Sequence, residues 1–391
     1  MAVPLKYNWR NLLVRRVSSL MTVLGIALVV TVFLLVMALA EGVRLTFQSA
    51  IPARDLVVMR VGSQADVMSF VSRAESETIR TLPGVERAAD GSPLVSPELV
   101  VLINTTRRDG KRTNLIVRGV EPAALTLRPG LRIVEGRMFR PGTNEAIVSS
   151  RLRRRFPNME PGQTLSAGSQ RWVVAGVFDA GDTPYDSEIW ADLRDVQAQS
   201  DRGTGVSVVR VRGTDKTARD RLIAAVKGDQ RLKLEARSEQ DYFTAQMTTA
   251  GPIQFLAWFV GVVMAVGASF GAMNTMYAQV TARIREIGTL RALGFSRGSI
   301  LVSFVVESVV LALAGGLLGI GISLAAVHFV LTAPTGTQNF TTFAEILFNF
   351  RLTPPLLLTG IVFSLAMGVF GGLFPAARAA RTRITTALRE A

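Results

Sequence analysis

Cysteine is absent from the 391 residues and histidine occurs once, as His328. No disulfide and no thiolate metal site can form, and a single imidazole makes no metal constellation. The phosphate-cradling pattern G-x-x-x-x-G-K-[ST] occurs nowhere in the sequence, nor does H-E-x-x-H. ATP hydrolysis by the P-loop route and zincin-type proteolysis are therefore excluded for these residues. Lysine is scarce as well: arginine outnumbers it 39 to 5, a bias that points to a GC-rich genome.

What the chain has in excess is apolar residues, 49% of the total, too many for one ordinary soluble domain and in keeping with a membrane protein. Its formal charge is +14. The residues from Glu41 to Gly251 contribute +5 of this and the remainder +9, and nearly all basic residues of the remainder lie in three short stretches beside apolar runs. That distribution fits positively charged cytoplasmic flanks rather than a nucleic-acid surface, so no nucleic-acid partner is expected.

Four windows meet the length of about 20 apolar residues needed to cross a bilayer: Ser18 to Ala40, Pro252 to Gln279, Ser299 to Leu331 and Pro355 to Arg378. The first run is too long for the h-region of a signal peptide, although Ala38-Leu39-Ala40 has the A-x-A form, so a retained span is expected. Orientation follows from Lys6, Arg10, Arg15 and Arg16 before the first span, from Arg283, Arg285, Arg291 and Arg297 between the second and third, and from Arg378, Arg381, Arg383 and Arg389 after the fourth. All three clusters belong in the cytoplasm and place both termini there. Residues 1–17, with Leu5, Trp9, Leu12 and Leu13 on one face, read either as a helix lying in the inner lipid interface or as a plain basic flank.

The expected layout is a first span with its stalk over 18–50, an extracytoplasmic α+β domain over 51–237 and a stalk plus second span over 238–279. A cytoplasmic helix over 280–298, a third span over 299–331, an extracytoplasmic loop over 332–354, a fourth span over 355–378 and a cytoplasmic tail over 379–391 complete it. At its two ends the outer segment repeats strand, helix, strand, in "RDLVVMRV", "AESETIRTL" and "SPELVVL" and again in "VSVVRVRG", "TARDRLIAAVKG" and "QRLKLEAR". Between these units, about 113–192 carries short β runs split by Pro-Gly pairs and predicts an inserted β-rich subdomain.

Between the second and third spans lies "RIREIGTLRALGFSRGSI". Ile284, Ile287, Leu290 and Leu293 recur at helical spacing, Gly294 supplies a C-terminal stop, and Ser296 is a candidate N-cap for the next helix. A short amphipathic helix there suits docking into a groove of a soluble partner.

This stretch, with "ESVVLALAGGLLGIGI" in the third span and "FPAARAARTRITTALREA" at the end, resembles the MacB, LolC and FtsX type of ABC transporter permease, whose order of one span, a large outer domain and three spans is the order here. "LRIVEGRMFRPGTNEAIVSSRLRRRF" and "WVVAGVFD" resemble the periplasmic core domain of that family. The resemblance implies that Arg283, Arg285, Glu286, Ile287, Leu290, Arg291, Leu293 and Gly294 form a coupling helix seated on an ATPase subunit, with Glu286 and Arg291 as its polar contacts. It also implies ATP and Mg bound by two copies of that ATPase rather than by this chain, and a second permease, identical or paralogous. The spans would then act as levers that carry ATP-driven motion to the outer domain, a mechanotransmission. Efflux through a periplasmic adaptor and an outer-membrane channel, lipoprotein release and activation of a wall hydrolase are all compatible with it. The segment "RITTALREA" lacks the proline that relatives carry before the final "ALR".

Inside the membrane, Glu307 is either a structural glutamate bonded to polar neighbours or a proton or substrate site. Asn274 is placed to hydrogen-bond across a helix contact. Three glycine pairs spaced by four, Gly267 and Gly271, Gly315 and Gly319, Gly368 and Gly372, allow close helix approach within one chain or between two. Membrane lipids are the remaining partner. A membrane-anchored sensor or scaffold without an ATPase has the same composition and topology, and only the coupling and tail motifs argue against it. An intramembrane enzyme is disfavoured because His328 has no evident catalytic partner.

Overall fold

The computed structural model describes residues 16–48, 52–167, 170–181, 183–200, 202–246, 251–330, 335–338 and 345–381. The expected interfacial helix, apart from Arg16 onward, and the end of the tail after Arg381 lie outside the described residues.

In chain order the helices are α1 (Arg16–Gln48), α2 (Arg73–Arg80), α3 (Ala123–Leu127), α4 (Ser150–Arg155), α5 (Leu193–Ala198), α6 (Lys216–Gly228), α7 (Glu239–Gln246), α8 (Gly251–Ala282), α9 (Ile284–Ala292), α10 (Arg297–Ala325) and α11 (Pro354–Arg381). The strands are β1 (Asp55–Arg60), β2 (Val95–Thr106), β3 (Arg112–Val120), β4 (Arg132–Gly136), β5 (Glu145–Ser149), β6 (Thr164–Ala167), β7 (Gln170–Asp179), β8 (Glu188–Asp192), β9 (Val208–Arg212), β10 (Leu234–Ser238), β11 (Thr335–Gln338) and β12 (Glu345–Phe348). They divide into two compact units. One comprises residues 1–41, 252–332 and 350–391, the other 42–251 and 333–349.

The first unit is a bundle of four long helices, α1, α8, α10 and α11, each long and apolar enough to cross a membrane. Apolar side chains on every face dictate this: with no water to bond the backbone, only a continuous helix satisfies its own amides and carbonyls. Where the sequence predicts a third span to Leu331, α10 stops at Ala325 and one π-helical turn over Ala326–Val330 follows, carrying His328 edge-on to Phe329 at 4.7 Å between ring centroids. Ser296 accepts from the Ser299 amide at 3.1 Å and caps α10 as expected.

The second unit is built on one ten-stranded sheet in the order β10-β1-β9-β2-β3-β8-β5-β7-β4, with β6 paired to β7. β1 lies between β9 and β10 and is antiparallel to both, while β9 lies antiparallel between β1 and β2. The two strand–helix–strand units are therefore split βαβ units, each receiving a strand of the other, which is why the first and last portions of the segment close the same layer. Ser72 and Glu75 form a capping box on α2, and Asp215 caps α6.

Over the expected β-rich subdomain of about 113–192 lie β3 to β8, which pair with one another along one side of the sheet. β2 runs for 12 residues and pairs with β9 through Val95–Glu98 and with β3 through Leu99–Thr106, so the middle strands continue the same sheet. Pro-Gly punctuation marks turns but not strand partners, and so it cannot reveal that one long strand serves both halves. Within the expected loop over 332–354, β11 and β12 form an antiparallel hairpin that belongs to this second unit and lies against the turn at Pro184–Ser187.

One glycine contact is obligatory in this unit. Gly136 has φ +73°, and a Cβ on Gly176 would stand 2.8 Å from the Glu135 carbonyl oxygen at the bulge where β4 meets β7. The loop that follows is organised by Glu145, which accepts from Arg137 at 2.7 and 2.5 Å and from the Arg140 amide at 3.0 Å.

Candidate functional site

At one end of the bundle α9 packs across the others. Ile287, only 2% exposed, joins Met276 and Val280 of α8, Ile300 and Phe304 of α10, and Ala376, Ala379 and Ala380 of α11 in one buried cluster. Gly288 is buried with it, so two adjacent positions of α9 are sunk into the bundle. Leu290 and Ile284 are half-buried, and Gly294 ends the helix at φ +93°, a backbone open chiefly to glycine.

The opposite edge of α9 is exposed among the described residues. Arg285, Glu286, Thr289, Ala292 and Leu293 are exposed, Leu293 to 68%. Arg291 is half-buried and its Nη1 donates to the Phe295 carbonyl at 3.4 Å, back toward its own chain.

Arg283 departs from the expected outward-facing set. It is 4% exposed, and its Nη1 donates to Glu307 at 2.9 and 3.3 Å, while Nε reaches Glu286 at 3.4 Å. Its Cζ stands 5.3 Å from the Phe304 ring centroid. Arg283 and Glu307 thus form a buried ion pair 24 positions apart that ties the start of α9 to α10. The carboxylate has a charged partner, which favours the structural reading of Glu307.

The glycine pairs separate into two kinds. A Cβ on Gly315 would meet the Val23 carbonyl oxygen at 2.8 Å, and one on Gly319 the Ala27 carbonyl oxygen at 2.7 Å; Cβ atoms on Gly368 and Gly372 would meet Ala312 and Ser308 side chains at 2.5 Å. These four glycines are consumed in contacts of α10 with α1 and of α11 with α10, reinforced by Ser308 donating to the Gly368 carbonyl at 2.6 Å. Gly267 and Gly271 have nothing within 4 Å of such a Cβ and are exposed on α8, as is Asn274 one turn further. Gly267 to Gly271 also spells G-x-S-x-G, but it lies mid-helix, without the strand-to-helix turn that presents a nucleophile. Beside this face a groove of about 610 Å³ runs between α8 and α11, lined by Val266, Phe270, Met273, Phe363, Phe370 and Phe374.

In the sheet unit the structure brings together charged residues that sequence reasoning missed. Arg118 of β3, 2% exposed, grips Glu188 of β8 through Nε and Nη2 at 2.7 and 2.6 Å, and also bonds Glu98 of β2 at 2.9 Å and Asp66 at 3.0 Å. Arg128 donates to both Glu98 oxygens at 2.8 and 2.9 Å, and its guanidinium lies 4.4 Å from the Tyr185 ring centroid. Arg210 of β9 reaches Glu98 at 3.2 Å and pairs with Glu239, the first residue of α7. Burial would push the Glu98 carboxyl up, but the charges of Arg128, Arg210 and Arg118 outweigh it and hold it at about 2. Burial pushes the Tyr185 hydroxyl well above its usual range, so it remains a donor, and it donates to Glu239 at 2.7 Å. The signal in the sequence is a set of opposite charges inside apolar strands, in "PELVVL", "LIVRGV", "EIWAD" and "VVRVR".

No group of three or more potential metal ligands occurs among the described residues. The chemistry available is mechanical and electrostatic: a half-sunk helix with a bare edge in one unit, a buried ion cluster in the other.

Comparison with known proteins gives two family matches. Residues 19–228 match the MacB-like periplasmic core domain and residues 258–384 the FtsX-like permease C-terminal. The chain is 28% identical over 402 residues to the macrolide export ATP-binding/permease protein MacB of Sodalis glossinidius, covering 95% of this chain and 58% of that one. It is 26% identical over 405 residues to the ABC transporter permease YknZ of Bacillus subtilis, covering 97% and 96%. The chain thus spans little more than half the length of the MacB relative. Among solved structures, the periplasmic region of MacB from Actinobacillus actinomycetemcomitans is similar at a TM-score of 0.38 and 13% identity, covering 50% of this chain and 94% of that one.

Proposed function

This chain belongs to the MacB/FtsX-type family of ABC transporter permeases, and from that premise we propose that it carries ATP-driven motion of a separate ATPase subunit to its outer domain, for export or extraction of substrate at the cell envelope. The observation that carries the proposal is α9. Ile287 is sunk among α8, α10 and α11, while Arg285, Glu286, Thr289 and Leu293 are exposed on the other edge among the described residues, so a push on that edge reaches three spans at once. Two ATPase copies would bind ATP and Mg, since the sequence has no P-loop. The basic flanks support a cytoplasmic position for α9 and both termini, with the sheet domain outside.

A second permease copy is proposed to meet the chain along Gly267, Gly271 and Asn274, a small-residue face that the described helices leave uncovered. Expulsion of a small molecule, as the name of the MacB relative states for that protein, and handling of a lipid-linked substrate both fit a machine that works outside the bilayer, with or without an adaptor and an outer channel.

The test is co-purification of the full chain from native membranes. A stoichiometric P-loop ATPase should accompany the wild type, and Leu293→Asp combined with Arg285→Glu should lower its retention at least about tenfold, the loss typical of a central interface residue, with an unchanged melting temperature. A wild-type chain that brings no ATPase, or a double variant that retains it fully, would leave a sensor or scaffold instead.

A further inference from the structure

Glu239 opens α7, and α7 is the last described element before α8 in the chain. Its carboxylate is held by Arg210 and by the Tyr185 hydroxyl, both buried. One turn on, the Tyr242 hydroxyl accepts the Asp66 amide at 3.2 Å, and Phe243 stands edge-on to Tyr185 and Tyr242 at 6.0 and 5.2 Å. The start of α7 is thus fastened to the cluster that joins β2, β3, β8 and β9. Tyr185 itself sits on the turn at Pro184–Ser187, against which the β11–β12 hairpin lies. By sequence that hairpin connects α10 to α11, and α7 leads to α8. Two of the chain's connections to the spans therefore reach the same turn, α7 through the Tyr185–Glu239 hydrogen bond and the hairpin through its packing against Pro184–Ser187.

We propose that Glu239, with Tyr185 and Arg210, is a positioning joint through which movement arriving along α7 and along the β11–β12 hairpin enters the sheet as displacement of the whole unit. Sliding α7 against β9 would strip Glu239 from two buried partners and leave like and unlike charges unpaired where water cannot replace them, so the pieces move together. The inference rests on the proposed transmission of motion, and extends it by naming the residues that receive the load.

The experiment uses the full chain in lipid nanodiscs with its ATPase, carrying Tyr185→Phe, which removes one hydroxyl, or Glu239→Ala. Hydrogen exchange of the α7 amides should quicken by about tenfold or more in Glu239→Ala, and less in Tyr185→Phe, while β3 and β8 keep their protection. ATP turnover should remain within about twofold of wild type. The ATP-dependent change in distance between spin labels at Lys111→Cys of the two copies should shrink by at least about half, a readout that a merely stabilising side chain would not move. Glu239→Gln, which keeps an acceptor oxygen, should restore part of both effects. If Glu239→Ala does not fold, Tyr185→Phe carries the test alone. Unchanged exchange in α7, or loosened α7 with undiminished movement, overturns the joint. A wild-type outer domain that ignores ATP overturns instead the proposed function, while the exchange measurement still decides whether α7 is fastened by Glu239.

Discussion

Asp186 shows how one residue in the sheet unit is set by its surroundings. It is 1% exposed, accepts the Ala180 amide at 2.6 Å and has Arg151 at 3.7 Å. Burial pushes its carboxyl up to about 6, only partly countered by the Arg151 charge. A folded value above the unfolded 3.8 means the folded state holds the proton more tightly. The resulting stabilisation is complete below pH 3.8 and is lost as pH rises through 6, about 3 kcal/mol in all. Asp186→Asn, fixed in the neutral form, should therefore unfold later than wild type at pH 7.5 and at the same point near pH 4. Urea unfolding of the full chain at both values checks this, and equal midpoints at pH 7.5 would count against it. Glu98 has the opposite sign: held at about 2, it contributes above its unfolded 4.5 and loses that contribution only as pH falls toward 2.

Among elements, α9 is where the sequence was most and least legible. The spacing of Ile284, Ile287, Leu290 and Leu293 gives the helix, and Gly294 and Ser296 give its end and the next beginning, because these are local rules. Which of its arginines turns inward is not local. Arg283 differs from Arg285 only in what stands opposite, and its partner Glu307 is 24 positions away. The same limit hides the sheet cluster: Glu98, Arg118 and Arg210 each look like the solvent side of an alternating strand until neighbours of opposite charge are known. The first glycine pair and the other two have the same spacing, yet only the latter are filled by neighbouring helices. For the α9–α10 tie, replacing one partner alone, Arg283→Ala or Glu307→Ala, should cost about 3–5 kcal/mol by stranding a buried charge. The double replacement Arg283→Met with Glu307→Met should recover most of it. Thermal unfolding in nanodiscs measures both; a double variant no better than the singles would show that the pair itself carries the stability.

For the whole molecule, the absence of cysteine becomes an experimental advantage, since any introduced thiol is the only one present. Lys111, exposed near the tip between β2 and β3, and Thr289, exposed on α9, should lie on opposite sides of the membrane in the proposed orientation. In intact cells a membrane-impermeant maleimide should label Lys111→Cys and leave Thr289→Cys untouched until the cells are opened. The reverse pattern would invert the topology and remove α9 from any cytosolic ATPase.

The closure of the sheet by its own chain ends has a mechanical result. The outer segment comes in along β1 and goes out at the end of β10, antiparallel neighbours whose free mouths meet where Leu56 faces Ser238. Spreading those mouths would unzip the ladder rung by rung, each hydrogen bond bearing the tension alone. A thrust borne by both strands together would share it over every rung. The lobe is consequently sturdy when tilted or shoved and frail when prised open, and the Asp55–Arg212 and Arg210–Glu239 pairs are stitches sewn near the lip of that seam.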